Sequence, residues 1–224
     1  MPSGTRIELD EFTCEFGGPR KVVALDRLSL VIGDGSFVAV TGPSGSGKTT
    51  LLNVLGLLGQ PTSGRYMINS VDTSQLSKGE LGRLRAGTIG FVFQSFHLIS
   101  SRNVIDNVAL AGRYQGLSVE DSYQEASVVL RRLGMGHRLT AMPPTLSGGE
   151  SQRVAIARGV MGDRSLLLCD EPTGNLDHEN STAIVELLAE LNQQGMTVIT
   201  VTHDLELAAR FATQVQLRDG VVMT

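Results

Sequence analysis

The sequence predicts an α/β fold with a block of helices inserted mid-chain, and three observations carry that prediction. Phe37-Val38-Ala39-Val40 and Leu166-Leu167-Leu168-Cys169 are continuous apolar runs, as strands buried on both faces require, and Thr197-Val198-Ile199-Thr200-Val201 is a β-branched one. Helical patterns separate strand patterns, which is the alternation of a mostly parallel sheet. From Phe96 to about Gly159 the helical pattern runs on with no strand between.

Taken in order, Ile7 to Leu9 reads as a short strand. After a loop at Gly17-Gly18-Pro19, Leu28 to Ile32 alternates apolar and polar residues as a second strand. Gly33-Asp34-Gly35 is a turn before the run at Phe37. Thr49 to Leu58 reads as a helix and Ile89 to Phe93 as a strand. Within the helical block the clearest segments are Val104 to Leu110 and Ser122 to Leu133, and Pro143-Pro144 breaks the pattern just before Leu146. A helix from Ser181 to Asn192 joins the last two central strands. A short helix at Leu205 to Phe211 and a final strand at Gln214 to Leu217 close the chain. With so little following Gly220, no appended regulatory domain is expected.

Composition bounds the function. At 224 residues, with 41% hydrophobic and 19% charged side chains, the chain has globular usage and can bury a sizeable core without staples. Its net charge of −4 argues against a broad basic face for nucleic acid. No stretch approaches the ~18 apolar residues of a membrane helix, and Met1 to Arg6 lacks the apolar core of a signal peptide. Any membrane role is therefore expected through a partner. Cys14 and Cys169 have no metal-ligand spacing, and Cys169 reads as a core thiol in a reducing compartment.

Gly42-Pro43-Ser44-Gly45-Ser46-Gly47-Lys48-Thr49 matches the phosphate-binding loop at every specified position, between a buried strand and a helix. Its glycines let backbone N–H groups converge on an anion, and the helix start adds roughly half a positive charge. Lys48 can bridge the β- and γ-phosphates, and the Thr49 hydroxyl can ligate Mg²⁺. The strand Leu166 to Cys169 ends in Asp170 and Glu171, whose side chains point to opposite sides. Asp170 is placed to hold Mg²⁺, Glu171 to orient or deprotonate an attacking water. Alone, such a strand is more often one meeting solvent; beside the loop it is a second half-site. Leu146-Ser147-Gly148-Gly149-Glu150 opens a further helix through Val154-Ala155-Ile156-Ala157, a second anion-binding helix start in the same chain.

Loop, second helix start and acid pair occur in the order and spacing of the ABC transporter ATPases, which the whole chain resembles. LSGGESQRVAIAR (146–158) is similar to that family's signature, DEPTGNLD (170–177) to its acid strand end and D-loop, and Val201-Thr202-His203-Asp204 to its switch segment. Gln94 matches the Q-loop glutamine. Within the family the motifs look most like the lipoprotein-releasing and macrolide-exporting group, and cell-division and antimicrobial-peptide ATPases share much of the pattern.

The resemblance implies a phosphate-loop NTPase fold of the ABC type with a RecA-like core and a small antiparallel β subdomain. About 1–95 and 160–224 would form that ATP-binding part, and about 96–159 the helical subdomain. It also implies a cytoplasmic subunit, peripheral on the inner face of the membrane through transmembrane permease subunits, working with ATP and Mg²⁺. Two copies would pair head to tail. Gly42 to Thr50 of one and Ser147, Gly148, Gly149 and Glu150 of the other would then enclose one triphosphate. By the same resemblance Gln94 contacts Mg²⁺ and the water, His203 contacts the γ-phosphate, Asp177 communicates across the dimer, and Phe16 stacks on adenine, with Phe12 the weaker candidate. Glu150 stands where many members have Gln; an acid there would lie near phosphate charge, and it is a choice that the lipoprotein-releasing group shares. His97, His137 and His178 share no metal spacing and are expected on loops or surface. Phe96-His97-Leu98-Ile99 is either local packing or part of a groove for a short helix of the membrane subunit. The expected activity is ATP hydrolysis powering export or extraction; the alternative is a cell-division-type ATPase that switches a membrane partner without transport. A soluble ATPase acting on nucleic acid or ribosomes would carry tandem cassettes or long coiled-coil insertions, and neither is present.

Overall fold

The computed structural model describes residues 4–17, 21–59 and 61–223. Gly18 and Pro19 of the expected loop, and Met1 to Ser3 at the N-terminus, lie outside them. The chain runs β1 (Ile7–Phe16), β2 (Val22–Ile32), β3 (Phe37–Thr41), α1 (Lys48–Leu55), β4 (Ser63–Ile68), β5 (Val71–Asp72), α2 (Lys78–Thr88) and β6 (Ile89–Phe93). It continues with α3 (Val104–Tyr114), α4 (Val119–Arg132), α5 (Gly148–Gly159), β7 (Leu166–Asp170), α6 (His178–Gln193), β8 (Thr197–Val201), α7 (Leu205–Ala208), β9 (Thr213–Arg218) and β10 (Val221–Met223).

Two sheets form. One is antiparallel, in the order β2-β1-β4-β5; the other runs β10-β9-β3-β8-β7-β6, parallel except for β10. The central strands are buried on both faces because their residues alternate between two cores. Phe37, Ala39, Leu167, Cys169 and Val198 face one core with the helices α3 to α6. Val38, Val40, Leu166, Leu168, Ile199 and Val201 face the other, shared with α1 and the antiparallel sheet. A period of two with no polar face is what the continuous apolar runs required.

Several elements depart from expectation. β1 extends to Phe16 and β2 starts at Val22, because a strand paired in a sheet tolerates the charged residues that hid it in the sequence. The first helix stops at Leu55: a Cβ on Gly56 would sit 2.0 Å from the Phe91 ring, and Leu57 has φ +56°. The last helix ends at Ala208, and β10 follows the strand that was expected to be final. The sequence reading also passed over α2, which buries no residue and is started by the capping box of Ser77 and Glu80.

Candidate functional site

The register of the parallel sheet assembles the site. Phe93 pairs with Asp170, Asp170 with Val201, and Val40 with Val201, so β6, β7, β8 and β3 end on one row. The next residues along the chain are Gln94, Glu171, Thr202 and Thr41, at the carboxyl edge where open parallel sheets place ligands. Four motifs far apart in sequence thus share one edge.

The phosphate loop leaves β3 there. Ser46 N–H donates to Pro43 O at 3.2 Å, closing its turn. Gly47 has φ +99° just before α1, and a Cβ on it would lie 2.4 Å from Ala24 O. Gly45, φ +81°, has open space where its Cβ would be. Among the described residues no side chain caps α1, which leaves its first N–H groups without a capping acceptor, and the buried Ser46 hydroxyl has no hydrogen-bond partner. Lys48 Nζ instead donates to Gly42 O at 2.8 Å and Pro43 O at 2.9 Å. Free donors, an orphaned hydroxyl and an ammonium parked on loop carbonyls fit a polyphosphate. Pro43, Ser44 and Thr49 stand exposed at the mouth, with Thr50 half-buried behind them.

Asp170 is half-buried, and its carboxyl is raised above the ordinary value by burial and then by adjacent Glu171, with Lys48 pulling the other way. Two neighbouring carboxylates are a site that a hard cation relieves. Among the described residues no three His, Cys, Asp or Glu gather as a metal cage. The donors present, Asp170 and the Thr49 hydroxyl, suit Mg²⁺ held largely by phosphate and water.

Glu171 has a left-handed backbone, φ +47°, fixed by its N–H to Val201 O at 2.9 Å. His203 Nδ1 lies 2.7 Å from its Oε1, and the buried Thr202 hydroxyl donates to its Oε2 at 3.2 Å. Glu171 was expected at the attacking water and His203 at the γ-phosphate; in this structure the two are hydrogen-bonded to each other. Gln94 is also engaged: its Nε2 donates to Asn175 Oδ1 at 3.4 Å, and Asn175 Nδ2 returns a bond to Gln94 O at 3.0 Å. Sequence reasoning missed Thr202 and Asn175 as partners, although both lie inside motifs it quoted.

The second helix start sits on a different layer. Ser147 Oγ accepts from Glu150 N–H at 3.2 Å and Glu150 Oε2 accepts from Ser147 N–H at 2.9 Å, a capping box at the head of α5. Gly148 and Gly149 are glycine partly for packing: a Cβ on Gly149 would meet Asn180 Oδ1 at 2.3 Å, and one on Gly148 would meet Leu176 at 3.0 Å. Asp177 caps α6, accepting from Asn180 N–H at 2.8 Å. Among the described residues no hydrogen bond joins 42–50 to 147–150. Phe16 is 53% exposed at the end of β1, whereas Phe12 is fully buried in the core and is thereby removed as a stacking candidate.

A family model of ABC transporters matches residues 25–174. The chain belongs to the ABC transporter family. It is similar to the macrolide export ATP-binding/permease protein MacB of Rhodopseudomonas palustris, at 46% identity over 99% of this chain and 34% of that protein. The MacB of Hyphomonas neptunium is 43% identical over 97% of this chain and 34% of its own length. The chain thus spans about a third of the length of these relatives. It also resembles the dimeric structure of the bacterial ABC transporter cassette MJ0796, with 38% identity, a TM-score of 0.88 and 97% of both chains covered. A post-hydrolysis form of that cassette, bound to ADP and Pi, matches at 37% identity and TM-score 0.88, again over 97% of both chains. This chain therefore has the ABC-ATPase fold, with the antiparallel sheet and helical block that the family carries, and it is an ATP-binding ATPase domain. No described helix of this ABC ATPase is long and apolar enough to cross a membrane.

Proposed function

We propose that this ATPase powers an ABC transporter of the macrolide-export or lipoprotein-release type from the cytoplasmic side, through permease segments or subunits. A head-to-tail pair would bind ATP between Gly42 to Thr50 of one copy and Ser147 to Glu150 of the other. The observation that carries this reading is the shared strand-end row of loop, acids, glutamine and histidine, with a second glycine-rich helix start unconnected to it. One copy supplies two half-sites that face different ligands; two copies complete them.

In the proposed cycle, phosphate oxygens draw Lys48 away from Gly42 O and Pro43 O, and Phe16 stacks on adenine. Mg²⁺, held by Thr49 Oγ1 and Asp170, would neutralise charge on the β- and γ-phosphate oxygens. His203 turns from Glu171 toward the γ-phosphate, freeing the Glu171 carboxylate to accept the proton of a water that Gln94 helps align. That water's oxygen bonds to the γ-phosphorus as the bond to the β-phosphate oxygen breaks, leaving ADP and phosphate. Asp177, at the head of α6 beside the signature glycines, carries the change between copies.

Glu171→Gln tests the assignment. ATP binding should persist and hydrolysis should fall by roughly 10²–10⁴, the range of a general-base contribution. The variant should also elute as a dimer with ATP and a monomer without it. Near-normal turnover would remove Glu171 from its role, and an ATP-loaded monomer would remove the paired site.

A further inference from the structure

The first turn of α5 carries a contradiction. If its N-terminus grips a partner's triphosphate, Glu150 places a carboxylate at the same positive helix end. That carboxylate helps the helix: it closes the capping box, and an acid in the first turn interacts favourably with the macrodipole. It also opposes any anion that approaches.

Arg138 sits against it. This residue closes the short 3₁₀ turn Gly136–Arg138, between α4 and α5. Its Nε lies 3.0 Å from Glu150 Oε1, and its Nη2 donates to Oε2 at 3.2 Å and to Thr145 O at 2.8 Å. Nη2 makes the one hydrogen bond of the pair, Nε being close to the carboxylate but not aligned to donate, and the guanidinium ties Glu150 to the 3₁₀ turn Pro143–Thr145 that leads into Ser147. Both partners are partly shielded, with side chains 32% and 25% exposed. His137 Nε2 is more distant, at 3.9 Å, and 69% exposed. The Ser147 N–H, then Arg138, hold the Glu150 carboxyl below the usual range, so it is ionised at neutral pH.

We infer that Arg138 is a positioning residue for the signature half-site: it neutralises Glu150 and turns its carboxylate back onto Ser147, so that an acid is tolerated where a partner's γ-phosphate docks. This rests on the paired-copy reading above. With the guanidinium in place the helix start presents Ser147, Gly148 and Gly149 with no uncompensated negative charge. Without it, the carboxylate repels the triphosphate across the dimer.

The test is a double-mutant cycle on the full chain, reading half-saturating ATP for cooperative hydrolysis and for nucleotide-induced dimerisation. Arg138→Gln alone should raise half-saturating ATP about fivefold to tenfold, a change expected for one uncompensated charge near another in a partly shielded site. In the Glu150→Gln background the same substitution should change it less than about twofold, because no charge is left to compensate and Gln still completes a capping box. The single-variant defect should shrink as salt rises from about 0.1 M toward 1 M, where the Debye length falls from about 10 Å to 3 Å. Arg138→Lys should retain most of the wild-type value.

An equal defect in both backgrounds, insensitive to salt, would overturn the inference and leave Arg138 as a tie to Thr145 alone. Thermal midpoints of each variant separate misfolding from this effect. Wild-type protein that never dimerises with ATP would sink the paired-copy reading itself, a distinct failure.

Discussion

At the scale of single residues, the site is built from groups held in costly states. Asp170 is the clearest case. Its carboxyl is raised by burial first and by Glu171 second, so ionising it is harder in the folded chain than in the unfolded one. Such a group's contribution to stability is present below the unfolded value near ~4 and is lost as pH rises from there through the higher folded value. Asp170→Asn should therefore raise the ligand-free melting midpoint at pH 7, by about 2 °C given how much solvent screens a half-exposed group, and the gain should fade near pH 3. The same variant should lose Mg²⁺-dependent turnover. A midpoint that is lowered at pH 7 would contradict the burial argument. Asp177 behaves oppositely: Asn180 holds its carboxyl below the ordinary value, so its contribution is present at neutral pH and lost on acidification. The sequence named both acids from motifs, but which one is strained depends on what surrounds them. Glu171 and His203 were picked out as candidate site residues for the same reason, and their 2.7 Å contact was not legible, because 32 residues separate them.

Among the elements, the stretch between β6 and α3 is held by two side chains from outside it. Phe96 and His97 both have left-handed backbones, φ +57° and +48°, and Arg158 of α5 donates to their carbonyls at 2.8 and 2.6 Å. Asn107 of α3, 1% exposed, accepts from Ile99 N–H at 2.7 Å and donates to Ile99 O, Arg102 O and Asn103 O. Removing this buried amide takes the partner from Ile99 N–H and Arg102 O, while Ile99 O and Asn103 O keep their bonds from Arg102 N–H and Asn107 N–H. Asn107→Ala should cost roughly 2–4 kcal/mol in urea unfolding and raise hydrogen exchange across 99–103 before the sheet is affected. An unchanged urea midpoint would mean water replaces the amide without loss. Asn107 drew no notice in the sequence, since one polar residue on a helix gives no sign that it faces inward. α2 escaped for the converse reason: it buries no residue fully, so no apolar period marks it.

Over the whole molecule, the helical block and the sheet meet through close backbone approach. A Cβ on Gly90 of β6 would lie 2.0 Å from Gly159 O and 2.7 Å from its carbonyl carbon, at the end of α5. Backbone cannot swing aside as a side chain can, so Gly90→Ala should wedge the signature helix off the sheet, at about 1–3 kcal/mol or more. Gly82→Ala on α2, with nothing within 4 Å, should instead stabilise by about 0.5–1 kcal/mol. Melting midpoints moving in opposite directions would bear this out; equal shifts would not. The sequence by itself determined the class of fold and the family, and it nominated the candidate chemistry-bearing residues. Those are written in local signals: apolar runs of strand length, a glycine loop opening a helix, acids ending a strand. The antiparallel sheet was expected only through family likeness, because its strands mix charged residues with apolar ones. Tertiary structure alone decided that Phe12 is core and Phe16 is free, and that Gly148 and Gly149 make room for Leu176 and Asn180. It alone placed Arg138 against Glu150. Each of these depends on which distant segment packs alongside, and a linear pattern holds no record of what will occupy the space beside a residue.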